Sequence, residues 1–233
     1  MALDLEQRKQ QWQASVADCR KFRWETSASY KKVQWQMFFK RLTHKASVLH
    51  IGCGTGDLLA MLAPSRAVGI EPCAELAYKA RISHPEIEIV ESPLENFQIE
   101  GDFDYILVDD VLLDCFDIDE LFQAIRGACH QETRILITTY SQLWRPLLKI
   151  LRFFRLAKPR FGNTWFSPED LRSALKRCGF EIISASSEVL FPLKIPLLST
   201  LMNRFLAHLP FLRAFCLHHV FVARCAGKSV QKN

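Results

Sequence analysis

The stretch "VLHIGCGTGDLLAML", residues 48–62, constrains this chain more than any other. Gly52, Gly54 and Gly56 stand at alternate positions between an apolar run and a helix-period pattern. Glycine lets a backbone take left-handed angles and lets a ligand approach without meeting a side chain. A strand that ends in such a turn and feeds a helix is the binding corner of an open parallel sheet, where ligands sit outside the carboxyl ends of the strands. Two common occupants fit poorly. A dinucleotide turn needs G-x-G-x-x-G, whereas the spacing here is G-x-G-x-G. A phosphate loop ends in Gly-Lys-Ser/Thr, and this chain has Thr55-Gly56-Asp57.

The residues beyond the glycines alternate between strand and helix periods. "SVLHIG" (47–52), "AVGIE" (67–71), "EIEIVE" (86–91), "FDYILVDD" (103–110) and "TRILITTY" (133–140) read as five strands. Helices are expected at 57–63, 73–83, 118–129 and 167–180. The last of these has Ser167 as N-cap, Pro168 at its first position and Gly179 as its stop. "FEIISASSEVL" (180–190) and "HHVFVARC" (218–225) supply two final strands. The expected fold is α/β, a doubly wound, mostly parallel seven-stranded sheet, because each strand–helix–strand crossover is right-handed.

At 233 residues, 49% hydrophobic and 24% charged, the chain has the makings of one large globular domain. We divide it into an N-terminal helical cap (1–45), a core (46–188), an insertion (189–217) and a last strand (218–225). In the cap, Trp35, Phe38, Phe39 and Leu42 share one helical face, expected to pack on the domain. The start "MALDLEQRKQQWQ" does not resemble a signal peptide, and no run of 18 apolar residues occurs. Eight cysteines are scattered without metal-ligand or disulfide-framework spacing, so no metal is expected. A cytoplasmic location, with peripheral contact to a membrane surface, is the expectation.

The glycine loop and the strands beyond it resemble the class I S-adenosylmethionine-dependent methyltransferases, of the kind with a methyltransferase-11-like domain. "VLHIGCGTG" is similar to that family's first motif and "AVGIEP" to its second. The resemblance covers about residues 45–185 well, and "NTWFSPEDLRSALKRCGFEI" has counterparts in one subset of the family. It implies S-adenosylmethionine as cofactor on a Rossmann-like methyltransferase fold. Gly52, Cys53, Gly54 and Gly56 would hold its methionine part, and Glu71, followed by Pro72, would grip the ribose hydroxyls. Ser92 and Leu94, in "VESPLENF" after strand three, would neighbour the adenine, with Leu94 against the ring. Asp109 and Asp110, in "DYILVDDVLLD", would lie beneath the sulfonium and amino group, where an acid favours the ammonium by charge attraction. The family's usual acid–histidine pair in this loop is replaced here by Leu113-Asp114. That departure keeps a non-catalytic, cofactor-binding partner protein among the readings.

A methyl group on a sulfonium is already activated, so positioning supplies much of the rate. A base is needed only when the acceptor must lose a proton near neutral pH. Asp109, Asp110 and Tyr140 stand on loops at the carboxyl side of the sheet, and Asp110 and Tyr140 are the catalytic candidates. His218 and His219 open the last strand and are further candidates for a base. His50, inside the first strand, is expected to be a satisfied core histidine.

The C-terminal third differs in charge from the rest. Residues 141–162 carry six basic residues and no acid, and no acid follows Glu188. On a helix, Arg145, Lys149, Arg152 and Arg155 share one arc, with Leu147, Ile150, Leu151 and Phe154 opposite. Such a basic amphipathic pattern suits a membrane interface. Segments 143–156 and 191–217 are therefore a cover for the core, membrane contacts or the walls of an acceptor pocket. The basic residues alternate with aliphatics rather than stacking aromatics, so nucleic acid is a poor partner. The reading is methyl transfer to a small, lipid-like or glycan-linked acceptor, with an RNA methyltransferase as the alternative enzyme.

Overall fold

Alternating apolar residues place the strands between two helical layers. The computed structural model describes residues 35–43, 45–115, 117–154, 166–188 and 216–226, without the side chains of 147, 148, 151 and 152. In β1 (Ser47–Ile51), Leu49 and Ile51 join one buried cluster while Val48 joins another. β4 (Phe103–Asp109) and β5 (Cys129–Tyr140) repeat the division. Ile106, Val108, Ile135 and Ile137 face the first cluster, and Leu107 and Leu136 the second. Apolar residues on both faces at a period of two are what a sheet covered on both sides requires.

Two helices cover the second cluster, α1 (Asp57–Leu62) and α2 (Ala74–Ser83), through Leu58, Leu59, Ala77 and Ala80. On the first, α3 (Ile118–Gly127) contributes Leu121, Phe122 and Ile125. α4 (Arg145–Phe153) follows β5, and α5 (Pro168–Arg177) adds Leu171 and Leu175 to the first cluster. Ser167 caps α5 as its sequence implies. Its hydroxyl accepts from the Asp170 amide at 3.1 Å while the Asp170 carboxylate accepts from the Ser167 amide at 2.9 Å.

With β2 (Arg66–Ile70), β3 (Glu88–Val90), β6 (Phe180–Glu188) and β7 (His218–Cys225), the sheet has seven strands in the order β3-β2-β1-β4-β5-β7-β6. Pairing is parallel from β3 to β5 and antiparallel where β7 meets β5 and β6. Strand order reverses between β1 and β4, which opens the ligand crevice outside their carboxyl ends. Being antiparallel, β7 begins at that same end.

Some boundaries differ from expectation. β5 starts at Cys129 rather than 133, because its partner register on β4 jumps from Phe103↔Cys129 to Tyr105↔Arg134. The polar residues between form a bulge, pinned where the His130 amide donates to Thr133 Oγ1 at 2.8 Å. β3 is only three residues long, inside the expected 86–91. The cap stripe also needs correction. Trp35, Phe38 and Leu42 pack on the second cluster, but Phe39 is 43% exposed and Met37 is buried. Arg41 bonds Glu188 and, at 3.2 Å, Ser186, which ties this segment to the edge strand β6. The expected helical cap before residue 35 lies outside the described residues, as does most of the 189–217 insertion. Its last two residues, Cys216 and Leu217, are fully buried. Among the described residues, no helix is long and apolar enough to cross a membrane.

Candidate active site

The loop after β1 is shaped by three glycines doing different jobs. Gly52 has φ 71°, and a β-carbon there would collide with Val111 Cγ1. Both the backbone angle and the approach of Val111 demand glycine. Gly54, at φ 59°, has no atom of the described residues within 4 Å of where a β-carbon would stand. Gly56 is the N-cap of α1. The amides of Gly52 and Cys53 both donate to Ile70 O, at 2.8 and 3.0 Å, which clamps the loop to the end of β2. Asp57 braces it from the other side, accepting from Thr55 Oγ1 at 2.9 Å and standing 3.1 Å from His84 Nε2. The Thr55–Asp57–His84 brace is not apparent in the sequence, where His84 is a lone histidine at a helix end.

Cys53 contributes backbone rather than side chain. Its sulfur packs inward, 2.5 Å from where a Gly69 β-carbon would lie, so Gly69 of β2 must be glycine for the turn to close. Burial, reinforced by the charge of Glu71, pushes the Cys53 thiol well above its ordinary value. It is not a nucleophile.

Glu71 follows β2 and is only 4% exposed. One carboxylate oxygen accepts from the Gly54 amide and the other from the Cys73 amide, both at 2.8 Å. The acid thus fixes the glycine loop and the start of α2 at once. A carboxylate offers about four acceptor sites, so two amides are compatible with two further hydroxyl donors. Pro72 stands beside it. After β3, Ser92 Oγ donates to Asn96 O at 3.1 Å, and Leu94 is buried with Cδ2 3.9 Å from the Gly52 β-carbon position.

Beyond β4 the chain turns sharply. Asp110 takes φ 57°, a left-handed angle that Asp tolerates better than most residues, and is 5% exposed. Its amide donates to Thr138 Oγ1 at 3.0 Å, and that hydroxyl donates to Asp109 Oδ1 at 2.7 Å. Asp110 Oδ1 is 3.4 Å from His218 Nδ1, and His218 is fully buried. Tyr140, opposite His218 in the β5–β7 register, lies against its ring at 4.7 Å between centroids. The structure therefore brings together Asp109, Asp110, Tyr140 and His218 beside the crevice. Asp110 after β4 and His218 on β7 thus stand as an acid and a histidine brought together from two distant strands. Thr138, which sequence reasoning missed, holds the two aspartates in place. His219 points away. It is 3.0 Å from Ser187 Oγ, and burial, helped by His218, lowers its basicity.

His50 departs from expectation. It is buried and held down to about 4 by desolvation, yet among the described residues neither ring nitrogen has a hydrogen-bond partner. A cavity of about 680 Å³ lined by Arg126, Cys129 and Cys225 lies at the opposite end of the sheet, away from these residues.

Residues 6–185 match the family model of a methyltransferase domain. No curated protein matches by sequence. Solved structures match across nearly the whole chain. A Thermotoga maritima SAM-dependent methyltransferase has a TM-score of 0.67 at 15% identity, covering 94% of this chain and 100% of that one. A Haloferax volcanii complex of the Trm112 methyltransferase activator gives 0.67 at 12%, covering 93% and 98%. The DhpI–SAH complex gives 0.65 at 12%, covering 96% and 97%. Gly54 and the buried carboxylate of Glu71 fit the family's cofactor, S-adenosylmethionine. With a family model spanning most of its length and the glycine loop, acid and strand order in place, the chain belongs to the class I S-adenosylmethionine-dependent methyltransferases.

Proposed function

We propose that this protein transfers a methyl group from S-adenosylmethionine to a small, lipid-like or glycan-linked acceptor. The observation that carries the reading is the placement of two buried carboxylates, Glu71 and Asp110, on either side of the strand-order reversal. When bound, the cofactor supplies an electrophilic methyl on a sulfonium. The chain's own task is to hold and orient. Gly52, Gly54 and Gly56 shape the methionine seat, and Glu71 and Pro72 the ribose seat. Ser92 and Leu94 flank the adenine. Asp109 and Asp110 attract the ammonium. Asp110 and Tyr140 face the acceptor, and His218, standing behind Asp110, positions that carboxylate to take a proton where the acceptor is a hydroxyl.

A lipid-like or glycan-linked acceptor is supported by the apolar, acid-free character of the chain leaving β5 toward the same end of the sheet. The test is transfer of a radiolabelled methyl from S-adenosylmethionine into separated lipid, lipid-linked glycan and RNA fractions. Label in the lipid or glycan fraction supports the reading. Label in RNA alone rejects it, and no transfer by protein that binds the cofactor assigns the chain to a non-catalytic role.

A further inference from the structure

α4 leaves β5 through the 3₁₀ turn Gln142–Trp144, at the sheet end that carries the glycine loop and Asp110. At about 100° per residue, Arg145, Lys149 and Phe153 follow one another around the helix in steps of about 40°, with Ile150 and Phe154 next. Arg145 and Lys149 are exposed. So are Ile150 at 54%, Phe153 at 82%, Phe154 at 65% and, in the preceding turn, Leu143 at 58%. The sequence pattern opposes basic and apolar faces, leaving the apolar one free to cover the core. Instead, Ile150 and Phe154 face solvent, and Phe153 joins them beside the cations.

Single exposed apolar residues are ordinary, but Ile150, Phe153 and Phe154 are all exposed within about one turn at the end of α4. The Phe153 and Phe154 rings meet edge to face at 5.2 Å, so they form one knob. A hydrocarbon knob preceded by Lys149 one turn back and Arg145 two turns back, in a stretch without acids, complements an apolar interior beneath an anionic surface. An RNA-binding ridge would instead present separate ring faces for stacking bases.

We propose that the α4 ridge docks the protein on an anionic lipid bilayer. Phe153, Phe154 and Ile150 enter the acyl boundary while Arg145 and Lys149 lie among the headgroups. The docked end of the sheet is the one that receives the acceptor. The proposal goes beyond the methyl-transfer reading and stands independently of it.

The test is flotation of the full chain with vesicles of phosphatidylcholine alone or mixed equally with phosphatidylglycerol, with S-adenosylhomocysteine affinity measured in parallel. The wild type is expected to float with the mixed vesicles. The Phe153→Ser/Phe154→Ser variant is expected to lose about 30-fold or more in partitioning, since each buried phenyl contributes strongly. Arg145→Glu/Lys149→Glu is expected to lose about tenfold or more and its preference for anionic lipid. Cofactor affinity should stay unchanged in both, which separates a failed dock from a failed methyltransferase. Recovery of all wild type in the soluble fraction overturns the proposal, as does flotation unaffected by the phenylalanine changes. Binding to an RNA oligonucleotide without vesicle binding also overturns it. If the double variant fails to fold, a polarity-sensitive dye on Phe153→Cys decides. A blue shift with mixed vesicles supports docking, and an unchanged spectrum rejects it.

Discussion

Glu71 at the end of β2 and Asp110 at the end of β4 are equally buried, at 4% and 5% exposed, yet they are held in opposite ways. Glu71 accepts from backbone amides, that of Gly54 on the loop after β1 and that of Cys73 two residues on. Asp110 is fastened by Thr138 on β5 and faces His218 on β7, side chains that arrive from other strands. On the proposed reading, the carboxylate facing the donor is held by main-chain amides of the adjoining loops after β1 and β2. On the same reading Asp110 serves donor and acceptor alike, while Tyr140 and His218, from β5 and β7, can vary with the acceptor without disturbing the turn that seats the donor. That separation suits a fold whose donor is fixed and whose acceptors differ.

The sharpest way to break the comparison is Glu71→Ala. Losing two charge-assisted bonds costs about 3–6 kcal/mol at about 1.5–3 each, so S-adenosylhomocysteine affinity should fall about 10²- to 10⁴-fold by calorimetry. A change below fivefold in folded protein means that Glu71 only braces the loop. Gly52→Ala comes next. Left-handed strain and the collision with Val111 should together destabilise by about 2–6 kcal/mol in a denaturant titration. Adding Val111→Ala should recover the collision part. Gly54→Ala meets no atom of the described residues, so its stability loss should be only about 1–2 kcal/mol while cofactor affinity drops. Equal stability losses at the two positions would erase the distinction between a packing glycine and a ligand-facing one.

His50 offers a pH test outside both sites. Its folded value is about 4 against an ordinary 6.5, so the unfolded chain binds the extra proton first as pH falls. Stability from this group is therefore intact above 6.5 and lost progressively down to about 4, amounting to about 3 kcal/mol. His50→Leu should flatten that part of the stability–pH curve measured by urea unfolding. An unchanged slope would show that His50 is not the source. The smallest effect is at the acceptor side. Asp110→Asn keeps a residue that tolerates the left-handed angle, so folding should persist while S-adenosylhomocysteine affinity falls about tenfold. A His218→Asn change should leave that affinity within twofold, because its role is to place Asp110 for the acceptor.

Legibility in the sequence divides along the same line. The glycine loop, Glu71, the strand runs and the Ser167 cap are written in residues that act on near neighbours. Phe39 misled because the helical face that meets the core is the one carrying Met37 and Phe38, and Phe39, though still helical, turns past it. The start of β5 was hidden by a bulge, whose polar residues read as loop. The approach of His218 to Asp110 depends on the antiparallel β5–β7 register, which sets Tyr140 opposite His218 and which no local pattern encodes. His50 sits in an apolar run that announces burial but says nothing of hydrogen bonds.

The most direct test of the account is a calorimetric titration of the purified wild-type protein with S-adenosylhomocysteine. The geometry at Gly54 and Glu71 predicts one site per chain with micromolar affinity. Folded protein that takes up no S-adenosylhomocysteine would contradict the account at its centre.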